Sequence, residues 1–162
     1  EVKADGVQLV LSFESGTPVI LHFGADLGAN LDPATLELAA QEAVPHADLD
    51  DHINPGIWRE DSRGFHGRPA LLGHRAGQGW APLFAIHSVE ATAESIEIIC
   101  HDTAASLEIV VTYELSTQGI LKISQRVKNL GAIEFALNEL ICGAGMKMLV
   151  SHRTTVVCPR ST

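Results

Sequence analysis

The sequence predicts an all-β protein, an antiparallel β-sandwich with one short helix near residues 33–43. Three observations carry that prediction. Apolar and polar residues alternate with period two along most of the 162 residues, the spacing that puts every second side chain on one face of a strand. Short breaks rich in Gly, Ser, Asn and Asp divide those runs at the intervals of an antiparallel meander. Helix signals gather in one segment alone. An apolar fraction of 46% with 19% charged residues is ordinary for a globular chain and excludes global disorder. The length fits one domain with a real core. Residues 1–141 are expected to form it, with 142–162 a divergent or truncated tail.

The elements follow in order. Val7, Leu9, Leu11 and Phe13 alternate with Gln8, Val10 and Ser12. Ser15-Gly16-Thr17-Pro18 then turns the chain into Val19 to Phe23, which makes a hairpin. Asp32 is a good helix N-cap, Pro33 suits the first helical position, and Leu36 to Ala43 are helix formers ended by Pro45. Val44 to Gly67 is a long irregular segment rich in Asp, His, Pro and Gly, anchored by Trp58 and Phe65. Loops of that length inside a compact domain are usually functional or disordered, and the aromatics favour docking. The glycines of Gly73-His-Arg-Ala-Gly-Gln-Gly79 fit a turn between strands. Ile96 to Cys100, Leu107 to Leu115, Leu121 to Val127 and Ile133 to Leu137 complete the strand series. From Cys142 the alternation fades and no further strand is expected.

Charge and composition narrow the function. Eleven Lys and Arg against twenty Asp and Glu give a net charge of −9, which argues against nucleic acid and anionic membrane as partners. No apolar run reaches the ~18 residues of a membrane-spanning helix. Cys100, Cys142 and Cys158 lack zinc or CxxC spacing. Free thiols in a reducing compartment are the favoured reading, one disulfide the alternative, and the expected location is cytoplasmic. His22, His46, His52, His66, His74, His87, His101 and His152 show neither HxxxH nor HExxH spacing, so no metal and no cofactor is expected. Asp50-Asp51 and Glu60-Asp61 are adjacent acids that point to opposite faces of an extended chain, which suits solvated loop acids better than a glycosidase pair. Trp58, Arg59, Arg63, Phe65 and Arg68 form the most suggestive set. Aromatic faces and guanidinium forks suit sugar ligands; the bland alternative is a loop anchor, with Trp58 in the core and an arginine paired with Glu60 or Asp61.

Two segments carry a family resemblance. Val19-Ile-Leu-His-Phe-Gly-Ala-Asp-Leu-Gly28 is similar to a segment near the start of actinobacterial-type alpha-galactosidases of glycoside hydrolase family 36. Ser62 to Arg75, followed by Gly79-Trp-Ala-Pro-Leu-Phe84, resembles their Gly-x-x-Gly-x-Pro-x-Leu-x-Gly-His-Arg stretch with its following Trp-x-x-x-Phe. Tyr113-Glu-Leu115 and Val127-Lys-Asn-Leu-Gly131 fit the same pattern, and the match covers about residues 6–141. The resemblance implies an N-terminal β-supersandwich, here possibly incomplete in strand number, that packs on a catalytic (β/α)8 barrel of the same polypeptide. The barrel's Lys-x-Asp strand motif is not in this sequence, and relatives continue with further strands after Leu140. It also implies a full enzyme that is a homo-oligomer and hydrolyses terminal alpha-galactosides with retention. Loop residues Trp58, Asp61 and Arg68 would then contact the galactoside substrate, and this chain alone would supply no catalytic residue. Two rival readings are a free-standing carbohydrate-binding module and a galactose-mutarotase-like enzyme.

Overall fold

A computed structural model describes residues 1–28, 32–40, 56–65 and 67–141, together with the backbone of 152–157. Ten strands and one helix lie in this range. The strands are β1 (Val2–Ala4), β2 (Val7–Ser12), β3 (Val19–Ala25), β4 (Leu71–His74), β5 (Ala85–Ala91), β6 (Ser95–Asp102), β7 (Leu107–Leu115), β8 (Leu121–Asn129), β9 (Ala136–Leu140) and β10 (His152–Val157). The helix, α1, is Pro33–Ala40. They form a three-stranded sheet β1-β2-β3, a five-stranded sheet β10-β8-β7-β6-β5 and a two-stranded sheet β4-β9. The all-β sandwich expected from the alternation is what forms.

Period two decides which face is buried. Along β6 every second residue is buried, from Ile96 through Ile98 and Cys100 to Asp102. Leu107, Ile109, Val111, Tyr113 and Leu115 of β7 and Leu121, Ile123 and Val127 of β8 continue that inner face. Val2, Leu9 and Leu11 from the small sheet, with Leu71, Phe84, Ile57, Trp58 and Phe135, close over it in one core. Each such side chain contributes about 1.5–3 kcal/mol on full burial. The outer face is polar and joined by residues directly opposite one another. His101 faces Glu108, Glu108 faces Lys128 and Glu114 faces Lys122, and these are also the ion pairs of that face. Cross-strand pairs of this kind add only about 0.2–1 kcal/mol each, so the inner face sets the register.

Turn chemistry explains the connections. Ala76 and Gly77 both have positive φ, 49° and 79°, while Arg75 and Gln78 exchange two backbone hydrogen bonds. That is a two-residue turn with the positive φ values of a hairpin turn, closed by the single antiparallel bridge Arg75–Gln78. Asp5 and Gly6 repeat it between β1 and β2, with φ of 47° and 72°. This first hairpin escaped the alternation argument because β1 has three residues, although Asp-Gly is its signal. Asp32 caps α1 as expected, accepting from Ala34 N and Thr35 N at 3.3 Å. The helix ends at Ala40 in the described range, and the expected continuation to residue 43 lies outside the described residues, as does 44–55.

Two expectations change. The strand expected at Ile133–Leu137 begins at Ala136 instead. The Ile133 carbonyl is taken by side chains, accepting from Arg75 Nη1 and from Asn129 Nδ2, so it is withdrawn from any ladder. The Arg75 fork also holds Ala105 O and Asn129 Oδ1, each at 2.8 Å. The tail was expected to leave the sheet, yet 152–157 forms β10, parallel to β8 with His152 opposite Ile123. It shields the edge of β8, a role that needs backbone groups alone.

Gly73 sits where β4 crosses Phe135. A Cβ there would meet the ring and the Ala136 carbonyl oxygen at 2.7 Å. Gly73→Ala should therefore lower unfolding stability by about 1–3 kcal/mol, measured by urea titration. Trimming the ring in the double variant Gly73→Ala/Phe135→Leu should recover part of that loss.

Candidate functional site

Residues 59–65 and 67–70, before β4, belong to a loop that packs on itself. Arg59 O accepts from Ala70 N at 2.9 Å, which closes residues 59–70 at the base. A closed surface loop of this size, packed by its own side chains, is an Ω-loop, a class that often carries function. Inside it Arg63 N and Phe65 N both donate to Glu60 O, and Gly64 N donates to Asp61 O. These bonds make a single 3-10 turn over Asp61–Arg63, ended by Gly64 at φ 81°. The Arg59 guanidinium lies 5.2 Å from the centroid of the Phe65 ring. At the base, Ile57 N donates to Pro18 O at 2.7 Å, and Ile141 N donates to Ala70 O at 2.7 Å.

A buried carboxylate ties the loop to the sandwich. Glu60, 6% exposed, accepts from Phe84 N on Oε1 at 2.8 Å and from Arg63 Nε on Oε2 at 2.5 Å. Arg63 Nη2 donates to Phe84 O at 2.7 Å. The pair thus brackets both backbone groups of one residue. Burial pushes the Glu60 carboxyl above its ordinary value of 4.5, and the hydrogen bonds from Phe84 and Arg63 offset only part of that. A carboxyl raised in the folded state gives its full stability below the ordinary value and loses it as pH rises through the raised one. Cys100 sits nearby with no exposure; burial first, and the Glu60 charge second, push its thiol up to about 12.

The three expected site residues are presented differently. Trp58 is 2% exposed and packs against Phe84 at 6.2 Å between ring centroids, so its ring belongs to the core beneath the loop. Asp61 is exposed at the start of the 3-10 turn. Arg68 is exposed with a side chain at 69%, and its Nε donates to Glu139 Oε2 of β9 at 2.8 Å. A surface pair of this kind holds Arg68 weakly, by about 0–1 kcal/mol. Arg63, in contrast, is committed to Glu60 and Phe84. Glu60 was weighed from sequence as a solvated loop acid beside Asp61 and as an arginine partner; the first expectation fails, because Glu60 is buried and engaged. Its signal was the short alternation Trp58, Arg59, Glu60, which puts Glu60 on the buried side with Trp58.

Among the described residues no group of three or more His, Cys, Asp or Glu could hold a metal ion. His46, His52, His66, Cys142 and Cys158 lie outside the described residues. No helix among the described residues is long and apolar enough to cross a membrane. Away from the loop, a solvent-open depression is lined by Val10, Ser12, Phe13, Leu21, Pro33 and Glu37. Ser12 Oγ donates to Glu37 Oε1 at 2.6 Å and joins β2 to α1 there.

Fold and loop together define a class: a β-sandwich domain that presents a rigid, arginine-bearing Ω-loop beside its shortest sheet. The chain belongs to the glycosyl hydrolase family 36 N-terminal domain, whose family model matches residues 16–145. It is 29% identical over 118 residues to an alpha-galactosidase of Escherichia coli. That match takes in 73% of this chain but 15% of the relative, so the chain spans a small part of the relative's length.

Removing the buried carboxylate should leave Arg63 and Phe84 N unpaired. Glu60→Ala is expected to cost about 3 kcal/mol in urea unfolding, with Glu60→Gln showing a flatter stability profile than the parent chain just above pH 4.5. Cys100 should resist iodoacetamide at neutral pH and react only when the chain unfolds, as read by peptide mass spectrometry.

Proposed function

We propose that this chain is the non-catalytic N-terminal domain of an alpha-galactosidase that hydrolyses terminal alpha-galactosides with retention. The observation that carries the proposal is the family match over 16–145, supported by the Escherichia coli relative, most of whose length lies outside the matched region. In that reading chemistry belongs to a barrel domain of the same polypeptide, where two carboxyl groups flank the glycosidic bond and one forms the covalent intermediate. The sandwich packs on the barrel, takes part in oligomer contacts and closes one side of the galactose pocket with the loop 59–70.

Each loop residue has a physical role in this reading. Arg68 offers an exposed guanidinium whose surface partner, Glu139, holds it weakly. It can donate paired hydrogen bonds to sugar hydroxyls. Asp61 offers acceptors from a turn fixed at both ends. Trp58 serves the substrate from beneath: its buried ring sets the height of the loop, and its contribution is positional. The binding energy of such remote groups can be used to orient the substrate at the reacting centre.

In the polypeptide that carries both domain and barrel, Arg68→Ala should raise KM for nitrophenyl alpha-galactoside about tenfold while kcat changes less. The 162-residue chain alone should show no turnover above blank. Robust hydrolysis by the isolated chain would sink the proposal.

A further inference from the structure

One end of the five-stranded sheet is apolar where solvent would be expected to select charge. Ala85 faces His101, and Leu107 faces Asn129. The start of β5, the turn from β6 to β7 and the end of β8 therefore lie side by side. Pro82 to Phe84, Thr103 to Ser106 and Leu130 to Phe135 form the connections there, and Glu134 is their one charged residue. Connections facing water are ordinarily polar, and this chain has a net charge of −9 to distribute. Instead Leu83, Leu130 and Ile133 stand out of them, 49%, 46% and 62% exposed.

Their backbones are held by one set of hydrogen bonds. Asp102, buried at the end of β6, accepts from Leu83 N on Oδ2 at 2.8 Å. On Oδ1 it accepts from Ala104 N at 2.7 Å and Ala105 N at 3.0 Å. Ser106 O accepts from Leu130 N at 2.8 Å. Ile133 O accepts from Asn129 Nδ2 at 2.9 Å and from Arg75, which also donates to Ala105 O. A single exposed Leu needs no explanation. Three large apolar side chains on neighbouring, fixed connections mark a surface made to be covered.

We propose that this end of the sandwich is the seat of the barrel domain of the same polypeptide. The identity of that partner rests on the function proposed above. The matched region is only 15% of the Escherichia coli relative, most of which is left to cover such a surface. The Ω-loop selects this end over the other. Ser62 Oγ donates to Pro82 O at 2.8 Å and Arg63 Nη2 to Phe84 O at 2.7 Å, so a loop that closes the barrel's pocket brings Leu83 against the barrel too. An apolar centre depleted of charge is the anatomy of an interface core. At the opposite end, exposed Ile120 lies beyond Ser116, Thr117 and Gln118 in the turn from β7 to β8, a single apolar residue in a polar connection.

Hydroxyl-radical footprinting read by mass spectrometry reports the exposure of each side chain. Leu83, Leu130 and Ile133 should label about fivefold more slowly in the polypeptide that carries both domains than in the isolated chain. Ile120 should label equally in both. In calorimetry of the two-domain polypeptide, Ile133→Asp should make the sandwich unfold at the midpoint of the isolated chain, separately from the barrel. Ile120→Asp should leave the parent's transition unchanged. Equal labelling of the three residues in both proteins overturns the inference, as does slowing of Ile120 by the same factor. So does protection, in either protein, that is lost on dilution, which makes the partner a second copy. Protection without alpha-galactosidase activity keeps the docking surface and removes the activity assigned above. Activity with the three residues unprotected keeps the domain reading and removes this one.

Discussion

The inner face of the β6-β7-β8 sheet is apolar except for Gln125 and, at its rim, Asp102, and covering it is the constraint from which the remaining structure follows. Ile96, Ile98, Ile109, Val111, Tyr113 and Ile123 are each 2% exposed or less. A twisted sheet with one apolar face needs a second layer over it. The β1-β2-β3 sheet supplies part of that layer and β4-β9 another part. Ile57, Trp58 and Phe84 join the same core. The loop 59–70 therefore leaves the core at Trp58 and rejoins it at Ala70, which is 4% exposed.

Polar groups at the rim translate that packing into position. Arg75 gathers Ile133 O, Ala105 O and Asn129 Oδ1 at one end of the sandwich. Asp102 holds Ala104 N and Ala105 N as well as Leu83 N. Glu60 and Arg63 hold Phe84 from both sides. Each of these side chains satisfies backbone groups that strands cannot reach, because irregular backbone has no ladder of its own. The loop and residues 82–84 are thus tied to one another and to the sheet ends. Preorganisation of this kind is what a substrate-positioning element requires, since a displacement of about 1 Å at a remote contact can cost a hundredfold in rate.

Membership of the family 36 N-terminal domains fits a chain whose chemistry-bearing residues cluster at one edge rather than converge on a catalytic pair. Glu60 and Asp61 illustrate the point. They are neighbours in sequence, yet one is buried and engaged by Arg63 while the other is exposed. Extended backbone sends adjacent side chains to opposite sides, so the first builds the scaffold and the second faces solvent.

The sequence by itself determined the strands whose alternation is long, β2, β6, β7 and β8, and the capped start of α1, because period and capping are local properties. It singled out Trp58 and Phe65 as anchors of the long loop and left an arginine to pair with Glu60 or Asp61. Only the tertiary structure decided which arginine, since Arg63 and Arg68 are equally charged and differ in what lies above them. It also decided that Ile133 would lie outside the ladder, because the competing donor, Arg75, is 58 residues away. The addition of β10 to β8 was likewise beyond the alternation, for an edge strand is recruited through backbone groups that every sequence shares. Local periodicity fixes which residues face inward; long-range hydrogen bonds decide which of the others are held and which remain free to bind.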